Sequence, residues 1–175
     1  MSHPLEAGVV RHRAAVLGSP IEHSRSPILH NAGYEDLGMS DWDYTRIECT
    51  AEDLPRIVGE ADESFRGFSV TMPAKFAALE FATEVTDRAR QIGSANTLVR
   101  TDAGWRADNT DCDGITGALG ELLGESLPET RRALVIGGGG RARPALWALA
   151  QAGISDITVI NRSDRSAELA PLLEP

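Results

Sequence analysis

Cysteine is scarce in this 175-residue sequence. Cys49 and Cys112 stand alone without a Cys-x-x-Cys spacing, so neither a disulfide framework nor a zinc site is expected, and both read as reduced thiols in or near a core. The four histidines show no His-x-x-x-His or other clustered ligand spacing, and no metal is predicted. Positive charge is also short: 17 Lys and Arg face 26 Asp and Glu, for a formal net charge of −9. No basic stripe exists to displace counterions from phosphates, which argues against nucleic-acid binding. No run of about 18 apolar residues spans a bilayer, and Met1–Arg13 holds no apolar run of signal-peptide length, so no membrane partner and a cytoplasmic location are expected. Aromatic residues make up 5%; Trp42, Trp105 and Trp147 fall on separate elements and read as packing rather than a stacking platform.

What is present is the composition of a packed globular protein, 42% hydrophobic and 25% charged. Arg13-Ala-Ala-Val-Leu17 reads as a buried strand closed by Gly18-Ser-Pro20. The segment from Pro27 to Leu37 places Ile28, Leu29, Ala32 and Leu37 near one helical face, with Gly38 as the stop and Ser26 as the N-cap before Pro27. Strands are expected at Tyr44–Ile47 and Gly67–Thr71, and helices over Glu52–Glu60 and Pro73–Thr83. Asn96–Arg100 and Gly104–Ala107 form a hairpin pattern, Asp113–Leu123 is helical, and Gly124–Arg131 is the best boundary. Beyond it come a strand (Ala133–Ile136), a glycine cluster, a helix (Pro144–Gln151), a strand (Ile157–Ile160) and a last helix from near Asp164. Alternating strands and helices predict an α/β fold with a mostly parallel sheet, followed by a partial Rossmann-type doubly wound unit. The division expected is a first domain over 1–112, a connecting helix and linker over 113–130, and a nucleotide-binding part over 131–175.

Gly137-Gly138-Gly139-Gly140-Arg141-Ala142 fits G-x-G-x-x-A directly after a strand and at the start of a helix. There Gly137 permits the tight turn, Gly139 admits a pyrophosphate to the backbone, and Ala142 keeps helix and strand close. A glycine cluster can also mark a plain turn, but the strand–turn–helix–strand order favours a dinucleotide. Where an acidic residue would grip a ribose 2′-hydroxyl, the sequence offers Asn161-Arg162. Arg162 and Arg165 suit a 2′-phosphate through charge-assisted bonds, so NADP is favoured over NAD, with two solvated arginines as the plainer reading.

Polar clusters fill the first half. Ser24 and Ser26 lie two residues apart and share a side of an extended backbone, a hydroxyl pair suited to a small carboxylate beside a helix N-terminus. Thr71 ends a strand, and Lys75 sits in the first turn after Pro73, where the helix dipole disfavours a cation and a nearby carboxylate would be welcome. Gly93-Ser-Ala-Asn96-Thr97 precedes a strand, and Asp108-Asn-Thr-Asp111-Cys-Asp113-Gly114 lies where a strand gives way to a helix. The latter superficially fits the start of a calcium loop but has Gly120 where that loop needs Glu, so calcium is discarded and helix capping is the simplest use of these acids.

Five segments in one order, Gly18-Ser-Pro-Ile-Glu-His-Ser24-Arg-Ser26-Pro27, Val70-Thr71-Met-Pro73-Ala-Lys75, Gly93-Ser-Ala-Asn96-Thr97, Asp108-Asn-Thr-Asp111 and Gly137-Gly-Gly-Gly140, resemble the successive signatures of shikimate dehydrogenases. The resemblance covers about residues 13–165. It implies that Ser24 and Ser26 bind a substrate carboxylate, that Thr71, Asn96 and Asp111 hold ring hydroxyls, and that Lys75 and Asp111 form the catalytic pair. The implied reaction is reversible hydride transfer between NADPH and 3-dehydroshikimate, giving shikimate, in a monomer or homodimer. Ser69 stands where family members usually have Asn, and the basic pair at Arg162 and Arg165 is one residue closer than usual. Only about 45 residues follow the boundary, against roughly 130–150 for a complete dinucleotide domain, so an N-terminal part with an incomplete nucleotide unit is expected. A quinate/shikimate dehydrogenase and a non-catalytic shikimate-binding module are the alternatives.

Overall fold

Ala14, Ala15, Val16 and Leu17 are all buried, so the strand they form must be covered on both faces and flanked by other strands, as a near-continuous apolar run requires. In the computed structural model, which describes residues 10–124 and 132–173, this strand, β1 (His12–Gly18), lies inside a six-stranded sheet. It is followed by α1 (Ser26–Asp36), β2 (Trp42–Glu48), α2 (Leu54–Gly59), β3 (Phe65–Val70), α3 (Lys75–Phe81), β4 (Glu84–Val85) and α4 (Asp87–Ile92). Then come β5 (Thr97–Thr101), β6 (Gly104–Asp108) and α5 (Asp111–Leu123), and after them β7 (Arg132–Ile136), α6 (Ala142–Gln151), β8 (Asp156–Ile160), α7 (Ser166–Leu169) and a 3₁₀ turn (Ala170–Leu173).

The chain divides into two compact units, one running to Val85 and including Ala95–Ala107, the other made of Thr86–Ser94 and the chain from Asp108 onward. The division at residue 112 read from the sequence and these units differ in that α4 and Asp108–Cys112 group with the nucleotide-type part. The boundary segment 125–131 lies outside the described residues.

In the first unit the strand order is β2-β1-β3-β5-β6-β4. β1 pairs in parallel with β2 and β3, β4 pairs in parallel with β6, and β5 runs antiparallel to β3. One face of this α/β sheet is the main core, where Ala15, Leu17, Phe68, Val70 and Leu98 meet Leu54 and Val58 of α2 and Ala78 of α3. Arg100 stacks on Trp105 and donates to the Phe65, Ala61 and Asp62 carbonyls, which fastens β5 to the turn before β3. The opposite face holds Ala14, Val16, Ile21 and Tyr44, with Tyr34 of α1 against them.

Helix α1 departs from its expected role. Ile28, Leu29 and Leu37 are 57%, 71% and 72% exposed, and no residue of α1 is buried. Polar and ring contacts attach it instead. The Asn31 side chain donates to the Tyr44 carbonyl at 2.9 Å and accepts from the Tyr44 amide at 2.8 Å, so it pairs the open edge of β2, while His30 stacks on the Tyr44 ring with centroids 4.0 Å apart. The cap expected at Ser26 is also corrected: Arg25 occupies the N-cap without a side-chain cap bond, and Ser26 is the first helical residue. β4 and α4 have no counterpart among the elements expected from the sequence. α4 is nonetheless bounded by ordinary signals, with Thr86 accepting from the Ala89 amide at its start and Gly93 at φ 72° ending it.

In the second unit β7 and β8 pair in parallel with Ile136 opposite Ile160. Leu146, Leu169 and Leu172 pack with Val135, Ile157 and Val159 on one side of that ribbon. Ile92 of α4, Cys112 and Ile115 of α5, and Ala148 and Trp147 of α6 form a second cluster. Both cysteines are free and buried, and burial pushes the Cys49 thiol up to about 11. Among the described residues no helix is long and apolar enough to cross a membrane, and no group of three or more His, Cys, Asp or Glu is arranged to hold a metal ion.

Candidate active site

The carboxyl ends of β1 and β3 lie side by side, and the chain leaves both in loops that carry the singled-out side chains. The Thr71 amide donates to the Leu17 carbonyl at 2.8 Å and the Ser19 amide to the Met72 carbonyl at 3.1 Å, so the two loops are laced together. Gly18 permits this approach, since a Cβ there would lie 2.4 Å from Thr71 Cγ2 and 2.9 Å from the Met72 carbonyl. From β3 the lacing continues to β5: the Val70 amide donates to the Asn96 carbonyl at 2.7 Å and the Ala95 amide to the Lys75 carbonyl at 3.0 Å. Thr71, Lys75 and Asn96 are therefore fixed to one another through backbone bonds. The Thr97 hydroxyl donates to Asn96 Oδ1 at 2.8 Å, which turns the side-chain amide. Ser24 sits on the loop that follows Gly18 and Ser26 opens α1 at its end, where Ser24 Oγ accepts from the Ser26 amide at 3.3 Å.

Lys75 is 8% exposed at the first position of α3. It is also the one lysine in the chain, against sixteen arginines. Its burial separates it from the solvated cations of the surface, and an ammonium, unlike a guanidinium, is a compact charge with three rotatable donors.

Asp111, assigned with Lys75 to one pair by the resemblance, opens α5 on the second unit. Two neighbours that the sequence reading did not single out fix its backbone. Asn109 is fully buried; its Nδ2 donates to the Ser94 carbonyl at 2.9 Å and to Ser94 Oγ at 3.2 Å, and its Oδ1 accepts from the Asp111 amide at 3.2 Å. Arg88 binds Asp108 through two nitrogens, at 2.6 and 2.5 Å, and reaches Asp113 at 2.8 Å. Asp108 also accepts from Thr86 Oγ1 at 2.8 Å and from the Asn109 amide at 2.7 Å. The Arg88 guanidinium first, then Thr86 and that amide, hold the Asp108 carboxyl down to about 2 against the opposing effect of burial. The capping use expected of Asp113 gives way to this ion pair.

The glycine segment turns between β7 and α6 with Gly137 at φ 98°, and its amide donates to the Ile160 carbonyl at 2.8 Å. Asn161 Oδ1 accepts from the Gly138 amide at 3.1 Å, and Asn161 Nδ2 donates to the Ser163 carbonyl at 2.9 Å. An open groove of about 640 Å³ is lined by Gly137, Gly138, Gly139, Asn161, Arg162 and Arg165. A Cβ at Gly139 would meet nothing within 4 Å, and Arg162 is exposed on the groove. These residues fit the pyrophosphate and 2′-phosphate of a dinucleotide. Arg165 has other engagements: it donates to the Gly138 carbonyl at 2.9 Å and pairs with Glu168 at 2.6 Å. Gly140, Arg141 and Ala142 complete the turn, Arg141 being the N-cap of α6.

An α/β sheet with a polar edge at its strand ends and a separate glycine-loop unit defines a two-part, dinucleotide-type architecture. Residues 16–98 match the family described as the shikimate dehydrogenase substrate binding domain. The chain is 43% identical over 157 residues to a shikimate dehydrogenase (NADP(+)) of Xanthomonas euvesicatoria pv. vesicatoria, covering 89% of this chain and 55% of that protein. It is similar to the crystal structure of Mycobacterium tuberculosis shikimate dehydrogenase, with 56% identity and a TM-score of 0.83 over 93% of this chain and 60% of that one. A shikimate 5-dehydrogenase from Thermus thermophilus in complex with NADP(H) and shikimate matches at 35% identity and a TM-score of 0.81, over 93% and 60%. The chain thus carries the match to this substrate-binding domain over residues 16–98, is similar to shikimate dehydrogenases over most of its length, and spans about half the length of the curated relatives it matches.

Proposed function

We propose that this chain recognises shikimate and 3-dehydroshikimate and serves an NADP-dependent enzyme that interconverts them. The observation that carries the reading is the laced strand-end cluster of Thr71, Lys75 and Asn96, joined through Ser19 and Met72 to the loop that leads to Ser24 and Ser26, which offers hydroxyl, amide and ammonium groups at one end of the sheet. A substrate with one carboxylate and several ring hydroxyls asks for such a set. Ser24 and Ser26 take the carboxylate; Thr71 and Asn96 take ring hydroxyls.

The groove of the second unit would hold NADPH, whose nicotinamide would supply the hydride. The backbone of Gly139, Gly140 and Arg141 at the start of α6 would hold its pyrophosphate, and Arg162 its 2′-phosphate. As the substrate carbonyl is reduced, its oxygen gains negative charge and needs a proton; Lys75 gives that proton and takes it back in the reverse direction. Asp111 is the companion carboxylate, holding a ring hydroxyl. Arg165, engaged with Gly138 and Glu168, supports the glycine turn.

Reductive ¹³C-dimethylation labels one side-chain amine in this chain, Lys75, together with the amino terminus. Shikimate titrated into the labelled protein is expected to shift the lysine methyl resonance in a saturable way, and calorimetry is expected to give one site. Absence of both responses refutes the reading. Shikimate binding without NADP+ binding or turnover favours the non-catalytic module.

A further inference from the structure

Strand β2 ends beside the loop that carries Ser24 and Ser26, and two of its side chains reach over to that loop. Arg46 and Glu48 are two residues apart on a strand, so they leave it on one face. The Glu48 carboxylate accepts from the Ser19 hydroxyl at 2.5 Å and from the Ile21 amide at 3.1 Å, and the Arg46 guanidinium donates to the Glu22 carbonyl. From there the order passes along the loop: the Ser24 amide donates to the Ile21 carbonyl at 3.0 Å, and Ser24 Oγ accepts from the Ser26 amide. Ile21 is 3% exposed and packs with Val16 and Tyr44, which anchors the middle of the turn.

We propose that Arg46 and Glu48 are positioning residues that hold the Ser19–Ser26 loop in the form that binds the substrate carboxylate. The inference rests on the proposed role of Ser24 and Ser26. A loop held in its binding form before ligand arrives loses less conformational entropy on binding, and so binds more tightly. The sign of the effect separates this role from a bystander charge. As a mere negative charge near an anionic ligand, Glu48 would repel it, and its removal would strengthen binding. As a clamp, its removal weakens binding.

The test titrates shikimate and its methyl ester into the wild-type chain, Glu48→Ala, Glu48→Gln and Arg46→Ala by calorimetry, with circular dichroism as the check on folding. Glu48→Ala is expected to weaken shikimate binding roughly tenfold, the loss expected for one charge-assisted hydrogen bond. The uncharged ester is expected to change by less than about twofold, because its binding draws little on the two hydroxyls. Glu48→Gln keeps an acceptor for the Ile21 amide and is expected to restore most of the affinity. Arg46→Ala is expected to show the same preference for weakening the acid over the ester, and it decides the matter should Glu48→Ala fail to fold. Unchanged or tighter shikimate binding in folded variants, or equal loss for acid and ester, overturns the clamp while leaving the function intact. No shikimate binding by the wild-type chain overturns the function itself.

Discussion

Replacing Arg88 by methionine keeps the length of the side chain and removes the charge that Asp108 and Asp113 share. Arg88 and Asp108 are 28% and 21% exposed at the side chain, so their pairing is only partly screened by water. Asp108 is held down to about 2 from an ordinary 3.8, and at about 1.4 kcal/mol per pH unit its charged form contributes on the order of 2 kcal/mol at neutral pH. Arg88 is the largest cause, with Thr86 and the Asn109 amide retained in the variant, so a loss of about 1–3 kcal/mol is expected. Asp113 is 62% exposed and adds little. Because the folded-state value is depressed, the contribution is complete above pH 3.8 and is lost as pH falls toward 2. The gap between wild type and Arg88→Met is therefore largest at neutral pH and closes between those values. Urea unfolding at about pH 7 and about pH 2.5 measures the gap, and ¹³C-carboxyl NMR follows Asp108 directly. A gap that is as large at the acid end, or an Asp108 that still titrates near 2 in the variant, refutes the assignment to Arg88.

Gly18→Ala is expected to destabilise by about 1–3 kcal/mol, since its Cβ would press on Thr71 Cγ2 and on the Met72 carbonyl, and to weaken shikimate binding by displacing Thr71; thermal melts and calorimetry report both. Asn109→Ala leaves the buried Ser94 carbonyl without its donor and opens a small cavity, so a loss of about 2–4 kcal/mol in urea unfolding is expected. Arg162→Ala is expected to remove about tenfold of the preference for 2′,5′-ADP over 5′-ADP, whereas Arg165→Ala lowers stability through the Gly138 carbonyl it holds; equal preference in wild type and Arg162→Ala would contradict the 2′-phosphate role.

Local patterns carried much of the fold. β1, β7 and β8 were legible because runs of four apolar or β-branched residues ended in glycine or asparagine, and α5 and α6 because their lengths and stops were ordinary. α4 escaped because Asp87-Arg-Ala-Arg-Gln-Ile92 has only two buried positions, Ala89 and Ile92, too few to show a period. α1 was legible as a helix and misleading as to its face, because Asn31 and His30 attach it where apolar residues were expected to.

The sequence by itself determined the order of the main elements, β4 and α4 apart, and the glycine turn, because strand and turn preferences are local and the motif spacing is short. Tertiary structure decided what holds the polar groups. That Glu48 secures the Ile21 amide, that Asn109 reaches Ser94, and that Arg88 gathers Asp108 and Asp113 are contacts between residues 15 to 27 positions apart. A hydrogen bond acts over about 3 Å whatever the chain separation, so only the folded sheet and helices could select these partners from the many polar residues available.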